Sequence, residues 1–221
     1  MKSINEISFN GKKVFIRVDF NVPFNDEGEI TDNSRIVAAL PTIEFVISSG
    51  GACILASHLG RPDGKTPELS LKKLIPELKK LLGKEVIFLE DSIGDQTKEV
   101  CSNLKEGQIV LLENLRFYKE ETKAGAGFAK QLSDLADIYI NDAYGTTHRE
   151  HASTATIAKF FTEKCPGLLL EKEIKSLKKL MDKPKKPVTA IIGGAKVSSK
   201  ISVIANILGF VDNLIRWSKF S

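Results

Sequence analysis

The chain has 221 residues, and 42% of them are hydrophobic, which is enough apolar content for a buried core and argues against a disordered protein. The net charge of +4 suits an anionic ligand, but the 32 basic residues are scattered among 28 acidic ones, so nucleic-acid binding is only weakly favoured. Three cysteines, an odd number without CxxC spacing, argue against a disulfide framework and a zinc site and indicate a reducing compartment.

The first strong pattern is an apolar, β-branched run at residues 14–18, which is followed by Asp19, Asn21 and Pro23. It predicts a buried strand that delivers polar side chains at its carboxyl end, where open α/β sheets bind ligands. Residues 34–49 then carry apolar side chains at helical spacing, and we expect Pro41 to bend that helix.

The same alternation of strand and helix repeats along the chain. Further strands are predicted at residues 52–56, 85–89, 108–112 and 138–140, and helices at residues 70–82, 95–104 and 128–134. Five strands before residue 150, each apolar on both faces, predict a parallel β-sheet with helices on both faces. The predicted fold class is therefore a Rossmann-like, three-layer α/β fold.

The last part of the chain predicts an incomplete second α/β domain. A helix at residues 168–181 is followed by a lysine- and proline-rich break, and then by a strand at 188–192, a helix at about 198–208 and a strand at 211–215. We therefore predict three parts, which are an N-terminal domain, a hinge helix with its linker, and a short second domain with too few residues to close a core. Their bounds are residues 1–167, 168–187 and 188–221.

Four of the six arginines lie in or beside loops that follow predicted strands, namely Arg35, Arg61, Arg116 and Arg149. The guanidinium group is suited to forked recognition of carboxylate or phosphate, and the carboxyl ends of parallel strands share one edge of a sheet. Taken singly, each arginine is more often a surface residue. Together they predict a site for a small polyanion.

Other polar residues in these loops leave two interpretations open. His58 and His148 either donate to or pair with an anion, or only tie the loops down, while His151 is assigned the structural role. Asp19 and Asn21 either hydrogen-bond to hydroxyl groups of a ligand or form a turn. No histidine pair has metal-ligand spacing and no Ser, His and Asp set suggests a nucleophile, so no metal site is predicted.

A glycine-rich loop at residues 193–196 precedes the helix of the second domain. Its backbone amides can approach a phosphate at the helix N-terminus, and Lys196 and Lys200, one helical turn apart, can face the same anion. The alternative is a helix cap with two surface lysines. Neither GxxxxGK[ST] nor, after the first strand, GxGxxG is present.

Five strings, taken together and in this order, closely resemble the phosphoglycerate kinase family. They are residues 17–23 (RVDFNVP), 57–64 (SHLGRPDG), 112–117 (LENLRF), 141–145 (NDAYG) with His148 and Arg149, and 193–197 (GGAKV). The resemblance covers nearly the whole chain up to about residue 215. It implies the glycolytic, reversible phosphoryl transfer between 1,3-bisphosphoglycerate and MgADP, giving 3-phosphoglycerate and MgATP. In this family the N-terminal domain holds phosphoglycerate, the C-terminal domain holds the nucleotide, and a hinge closes the cleft.

Carried over position by position, the resemblance implies a role for each matching residue. The residues implied to bind 3-phosphoglycerate are Asp19, Asn21, Arg35, His58, Leu59, Gly60, Arg61, Arg116 and Arg149. Lys196 and Lys200 are implied to contact the phosphates of the nucleotide and the transferring phosphoryl group. Because an ionised carboxylate needs no general base, catalysis rests on alignment and charge cancellation, with Arg35 and Lys196 as the candidate catalytic residues. Hinge closure would exclude water.

Family chains run to roughly twice this length, so we expect most of the site for ATP or ADP with Mg²⁺ to be missing from this chain. We expect it to bind phosphoglycerate but to turn over poorly or not at all by itself. The alternatives are an active kinase and a nonfunctional fragment. The remaining expectations are a cytoplasmic protein without nucleic-acid or membrane partners, since no apolar run approaches ~18 residues, and a monomer unless a separate C-terminal half exists.

Overall fold

The computed structural model describes residues 2–182, 185–193, 201–209 and 211–217. The chain divides into two compact units, Met1–Glu173 and Ile174–Ser221. The domain and hinge boundaries inferred from the sequence stay predictions. No helix in the described ranges is long and apolar enough to cross a membrane.

The first unit is built on a parallel sheet, which has six strands in the described part of the chain. These are β1 (Lys13–Arg17), β2 (Ala52–Ala56), β3 (Val86–Leu89), β4 (Ile109–Leu112), β5 (Ile138–Asn141) and β6 (Glu163–Pro166). Their order across the sheet is β3-β4-β2-β1-β5-β6, and every pairing is parallel. The predicted α/β class with a parallel sheet is confirmed. The first strand of the sequence therefore lies near the middle of the sheet, between β2 and β5.

The two edge strands differ from the sequence prediction. The five strands predicted before residue 150 are present as β1 to β5, but β6, after residue 150, was not predicted, because Glu163 and Lys164 give it no apolar run and pairing with β5 makes it a strand. At the opposite edge, β3 is apolar as predicted, but the expected cover over both faces is incomplete there, because Ile87 is 38% exposed. Edge strands have one neighbour and are less completely covered than central ones.

Helices cover both faces of this sheet. The helices of this unit are α1 (Ser34–Ser48), α2 (Ile75–Leu82), α3 (Asp95–Ser102), the short α4 (Lys119–Thr122), which the sequence did not predict, and α5 (Ala126–Ser133). A further helix, α6 (Leu168–Asp182), has residues in both units. Alternate residues of β1 show the three layers: Val14 and Ile16 pack in one core cluster with α1 and α2, and Phe15 packs in another with α3 and α5. Because successive strand side chains point to opposite faces, the side chains on both faces of β1 are buried.

The second unit contains a two-stranded parallel sheet of β7 (Thr189–Gly193) and β8 (Asn213–Trp217), with α7 (Ile201–Ile207) between them in the sequence. This is the predicted strand, helix and strand order. Several of its apolar side chains are exposed, including Ile191 at 70% and Ile201 at 63%.

Candidate functional site

The carboxyl ends of four neighbouring strands, β4, β2, β1 and β5, lie along one edge of the first unit's sheet. The loops that follow them carry the predicted polar residues, and local hydrogen bonds hold these loops. Asn114 accepts from the Arg116 amide at 3.1 Å, and its side-chain amide donates to the Leu59 carbonyl at 2.8 Å. At the start of α1, Asp32 accepts from the Ser34 amide at 2.8 Å, next to Arg35. Side chains far apart in sequence are thereby fixed at one edge.

A cavity of about 230 Å³ opens at this edge, and we call it the arginine cavity. Its lining residues are Asp19, Asn21, Arg35, His58, Gly60, Arg61, Arg116, Gly145, Thr146 and Arg149. Eight of the nine binding residues implied by the sequence are therefore brought together. The ninth, Leu59, is buried and does not line the cavity, and its backbone is hydrogen-bonded to the Asn114 side chain.

Two lining residues were missed from the sequence. Thr146 is buried, and Gly145 lies so close to Asp19 that a Cβ atom would be 3.0 Å from the carboxylate oxygen Oδ2. The signal available was their position between two recognised strings, the one that ends at Gly145 and the one that begins at His148.

Asp19 and Asn21 have protein partners as well as a place in the lining. Asp19 Oδ2 accepts from Arg35 Nη1 at 2.6 Å, and Asn21 Oδ1 accepts from the Gly60 amide at 2.8 Å. The backbone N–H of Asn21 also donates to Asp19 Oδ1 at 3.3 Å. Both residues therefore hold loops in place, which is the turn-forming interpretation, and both still face the arginine cavity.

Arg116 is a nearly buried, positively charged side chain whose donors are not all satisfied by the part of the chain that the structure describes. Its side chain is nearly buried, its Nη1 donates to the Gly60 carbonyl at 2.6 Å, and its Nε is enclosed without a hydrogen-bond partner among the described residues. Burial lowers the pKa of this guanidinium, and the positive charges of Arg149 and Arg17 lower it further. An arginine stays protonated under such conditions, so the cavity contains positive charge that is not fully compensated.

His58 is a neutral ring with a defined tautomer. Burial lowers its pKa to about 2, with the positive charges of Arg17, Arg116 and Arg149 adding to the effect. Nη2 of Arg17 lies 3.2 Å from Nδ1, so Nδ1 accepts and the single ring proton is on Nε2. Nδ1 also lies 3.9 Å from Asp19 Oδ1, but a neutral ring that already accepts there forms no ion pair.

Arg17 is a functional candidate to which the sequence interpretation gave no role of its own, although it begins the first of the five recognised strings. It ends β1 and is fully buried, although it is charged. It does not line the arginine cavity but contacts His58, which does. The available signal was an arginine that directly follows four apolar or basic residues of a central strand, just before Asp19.

The other predicted residues lie elsewhere. His148 is exposed and 3.3 Å from Arg149 Nε, and His151 is buried beside an adjoining cavity of about 440 Å³, which Arg61 and Arg116 also line. Lys196 and Lys200 lie outside the described residues. No group of three or more His, Cys, Asp or Glu residues in the described ranges is arranged to hold a metal ion.

Chemistry rather than size singles out the arginine cavity. A larger cavity of about 440 Å³ is lined by Phe88, Phe117, three lysines and two glutamates but by no arginine in the described part of the chain. Its buried carboxylate, Glu113, is already satisfied by Ser70 and the amides of Leu71 and Asn114.

Comparison with known proteins decides the family. The family model described as phosphoglycerate kinase matches residues 4–217, which is almost the whole chain. The chain belongs to the phosphoglycerate kinase family. The resemblance seen in the sequence is thereby confirmed.

Individual relatives agree with this assignment. The chain is 50% identical over 213 residues to the cytosolic phosphoglycerate kinase 3 of Arabidopsis thaliana, covering 96% of this chain and 53% of the relative. It is 47% identical over 238 residues to the phosphoglycerate kinase of Porphyromonas gingivalis, covering 96% and 57%.

Solved structures of phosphoglycerate kinases match as well. The Coxiella burnetii structure has a TM-score of 0.86 at 37% identity, with coverage of 97% of this chain and 54% of that chain. The Pyrococcus horikoshii structure has a TM-score of 0.90 at 32% identity, with coverage of 99% and 55%. The chain spans about half the length of the phosphoglycerate kinases it matches.

Proposed function

We propose that the arginine cavity binds 3-phosphoglycerate and that the chain is the phosphoglycerate-binding part of a kinase. The reaction is reversible phosphoryl transfer between 1,3-bisphosphoglycerate and ADP. One observation carries the proposal: four arginines line one small cavity. A ligand with several anionic oxygens would accept hydrogen bonds from these guanidinium groups and balance their charge.

The charge of the cavity supports a ligand with two anionic groups. Among the described residues of the lining, four arginine charges less one carboxylate, Asp19, leave three positive charges, because His58 is neutral. A phosphate monoester carries about −1.5 to −2 at neutral pH, and a carboxylate adds one more negative charge. The carboxylate and phosphate of 3-phosphoglycerate therefore match the net charge of the lining.

The arrangement supports a division of labour between the two ends of the ligand. Arg61, Arg116 and Arg149 border both the arginine cavity and its neighbour, so they form one group, which we assign to the phosphate. Arg35 is paired with Asp19 in the arginine cavity only, and we assign it to the carboxylate. Asp19 and Asn21 are then left to contact the hydroxyl group.

Arg35 is also our candidate for charge cancellation on the transferring phosphoryl group. With an ionised carboxylate as acceptor, no proton has to be removed, so alignment and electrostatic stabilisation are what the protein must supply. The nucleotide, ATP or ADP with Mg²⁺, arrives as the second substrate, and Lys196 and Lys200 remain its proposed contacts. The cytoplasm is the proposed location, since the relatives include a cytosolic enzyme, although a chloroplastic one matches too.

Calorimetric titration with 3-phosphoglycerate tests the binding proposal. We expect saturable heat that weakens with added salt, and Arg35→Ala and Arg149→Ala should each lower the affinity by about 10- to 100-fold, because a hydrogen bond to a charged group is worth about 1.5–3 kcal/mol. Lys98→Ala, which removes an exposed charge on α3, is the matched control and should leave the affinity unchanged. Unchanged heat in both arginine variants would show that the ligand binds elsewhere.

Binding without turnover is the second candidate function. It is favoured by the match to only about half the length of the relatives, which makes binding and catalysis separate claims for this chain. A coupled assay decides between them: ATP-dependent turnover at a rate normal for a kinase, by the purified 221-residue chain, would refute binding without catalysis.

A further inference from the structure

A line of buried hydrogen bonds leads from His58, which lines the arginine cavity, into the interior of the first unit. Nε of Arg17 donates to Ser153 Oγ at 2.8 Å, and Ser153 Oγ donates to Glu121 Oε1 at 2.6 Å. The Ser153 amide donates to the other carboxylate oxygen at 3.0 Å. All three residues are fully buried, and none of them lines the cavity. Contact with a ligand therefore does not explain them.

The direction of every hydrogen bond in this line is forced. A guanidinium only donates and a carboxylate only accepts, so the Ser153 hydroxyl must accept from Arg17 and donate to Glu121. At the far end, Nη2 of Arg17 lies 3.2 Å from His58 Nδ1, which must therefore be the unprotonated nitrogen. The remaining ring proton is on Nε2, and His58 is a lining residue, so Nε2–H is the donor left for a ligand.

The positive charges around His58 explain why the line of hydrogen bonds includes the Glu121 carboxylate. Arg17 is buried next to His58, and Arg116, Arg149 and His151 also act on that ring. Glu121, fully buried on α4, supplies the opposite charge, and the Ser153 hydroxyl links its carboxylate to Arg17. Removing one partner of such a buried set leaves an uncompensated charge or an unsatisfied donor, which is costly.

We propose that Ser153 and Glu121 are positioning residues: acting through Arg17, they hold His58 in the Nε2–H tautomer, so that it donates a hydrogen bond to the anionic ligand of the arginine cavity. That this ligand is 3-phosphoglycerate rests on the proposed function, whereas the tautomer does not. The Ser153 hydroxyl is the element of the line that can be removed without changing any charge.

The experiment combines nitrogen-15 NMR of the histidine side chains with calorimetric titration of 3-phosphoglycerate. His58→Gln and His148→Gln assign the signals of the three histidines. In the wild-type chain near neutral pH we expect His58 to be neutral and entirely Nε2–H. In Ser153→Ala we expect a mixture of tautomers and an affinity lowered by about tenfold, the equivalent of about 1.4 kcal/mol.

Ser92→Ala is the matched control. Ser92 is also a fully buried serine, and its Oγ donates to the Glu113 carbonyl at 2.6 Å and not to a member of the line from Arg17 to Glu121. It should lose similar stability and leave both the His58 tautomer and the affinity unchanged. An equal loss of affinity in both serine variants, with no change of tautomer, would show that Ser153 is merely structural.

Three further results would overturn the proposal: a wild-type His58 that is charged or Nδ1–H, a Ser153→Ala spectrum identical to that of the wild type, and a changed tautomer with unchanged affinity. If Ser153→Ala does not fold, a wild-type His58 that is charged or Nδ1–H still overturns the proposal. If the wild-type chain binds no 3-phosphoglycerate, the proposed function fails, while the tautomers of the wild type and Ser153→Ala still decide whether His58 is positioned as described.

Discussion

The two sheets of this protein contain strands of similar sequence in opposite environments. Ile54, in β2 of the first unit, is fully buried, whereas Ile191, in β7 of the second, is 70% exposed. β2 has a neighbour on each side and helices over both faces, while β7 pairs only with β8 in the described part of the chain. An apolar, β-branched run therefore specifies a strand, but its burial depends on how many neighbours the strand has.

Shortening one isoleucine in each sheet should give the largest difference. Ile54→Ala should destabilise the first unit by about 2–5 kcal/mol, because it loses buried surface and leaves a cavity. Ile191→Ala should change stability by less than about 0.5 kcal/mol, as expected for an exposed position. Urea unfolding followed by far-ultraviolet circular dichroism measures both. Equal losses would show that β7 is as well buried as β2, contrary to the comparison.

Two glycines provide a second matched pair, with a smaller expected effect. A Cβ atom at Gly167, at the start of α6, would lie 2.2 Å from Asp142 Oδ1, the oxygen that accepts from the Leu170 amide at 3.1 Å. Gly167→Ala should therefore cost about 1–3 kcal/mol through forced displacement. Gly209, in the second unit, has no described heavy atom within 4 Å of such a Cβ.

Gly209→Ala should accordingly lie within about 0.5 kcal/mol of the wild type. The midpoints and slopes of the same urea titrations report the outcome. A neutral Gly167→Ala would mean that the Asp142 side chain moves aside freely and that its contact with the start of α6 contributes little.

The response to acid is the smallest of the three effects. The pKa of folded His58 is held near 2, against about 6.5 when unfolded, so between these values the unfolded chain binds more protons and stability falls as the pH falls. Going from about pH 7 to about pH 5.5 should cost about 1 kcal/mol at this residue.

His58→Gln should lose about 1 kcal/mol less than the wild type over that range, because glutamine does not titrate there. His148→Gln, at an exposed site, is the control and should retain the wild-type loss. All three histidines belong to the first unit, so the histidine part of the acid response arises there. Identical losses in both variants would mean that His58 is not kept neutral by its surroundings.

The elements that could be predicted from the sequence are those with a local signal. The bounds of β2 match the prediction, and α1 ends one residue early, because apolar periodicity marks both. β6 had no such signal: it is a strand because Glu163 to Pro166 pair with Ile138 to Asn141 of β5. Its identity depends on a neighbour that the periodicity of its own residues does not reveal.

The candidate site shows the same division. Convergence of the arginines could be predicted because parallel strands share an edge at their carboxyl ends, and the arginine cavity brings them together. The line from Arg17 through Ser153 to Glu121 could not, since it joins residues separated by 136 and 32 positions and depends on burial at their meeting point. Spacing in the sequence carries no information on such contacts.

The place of β1 in the sheet has a consequence for protein synthesis. β1 is translated before its neighbour β5, with which it pairs from Val14↔Ile138 to Arg17↔Asn141, so one side of β1 stays open while the residues between the two strands are translated. Arg149, which completes the arginine cavity, is translated later still. A nascent chain stalled before β5 would expose an unpaired strand edge, which is the kind of surface that invites aggregation and chaperone binding.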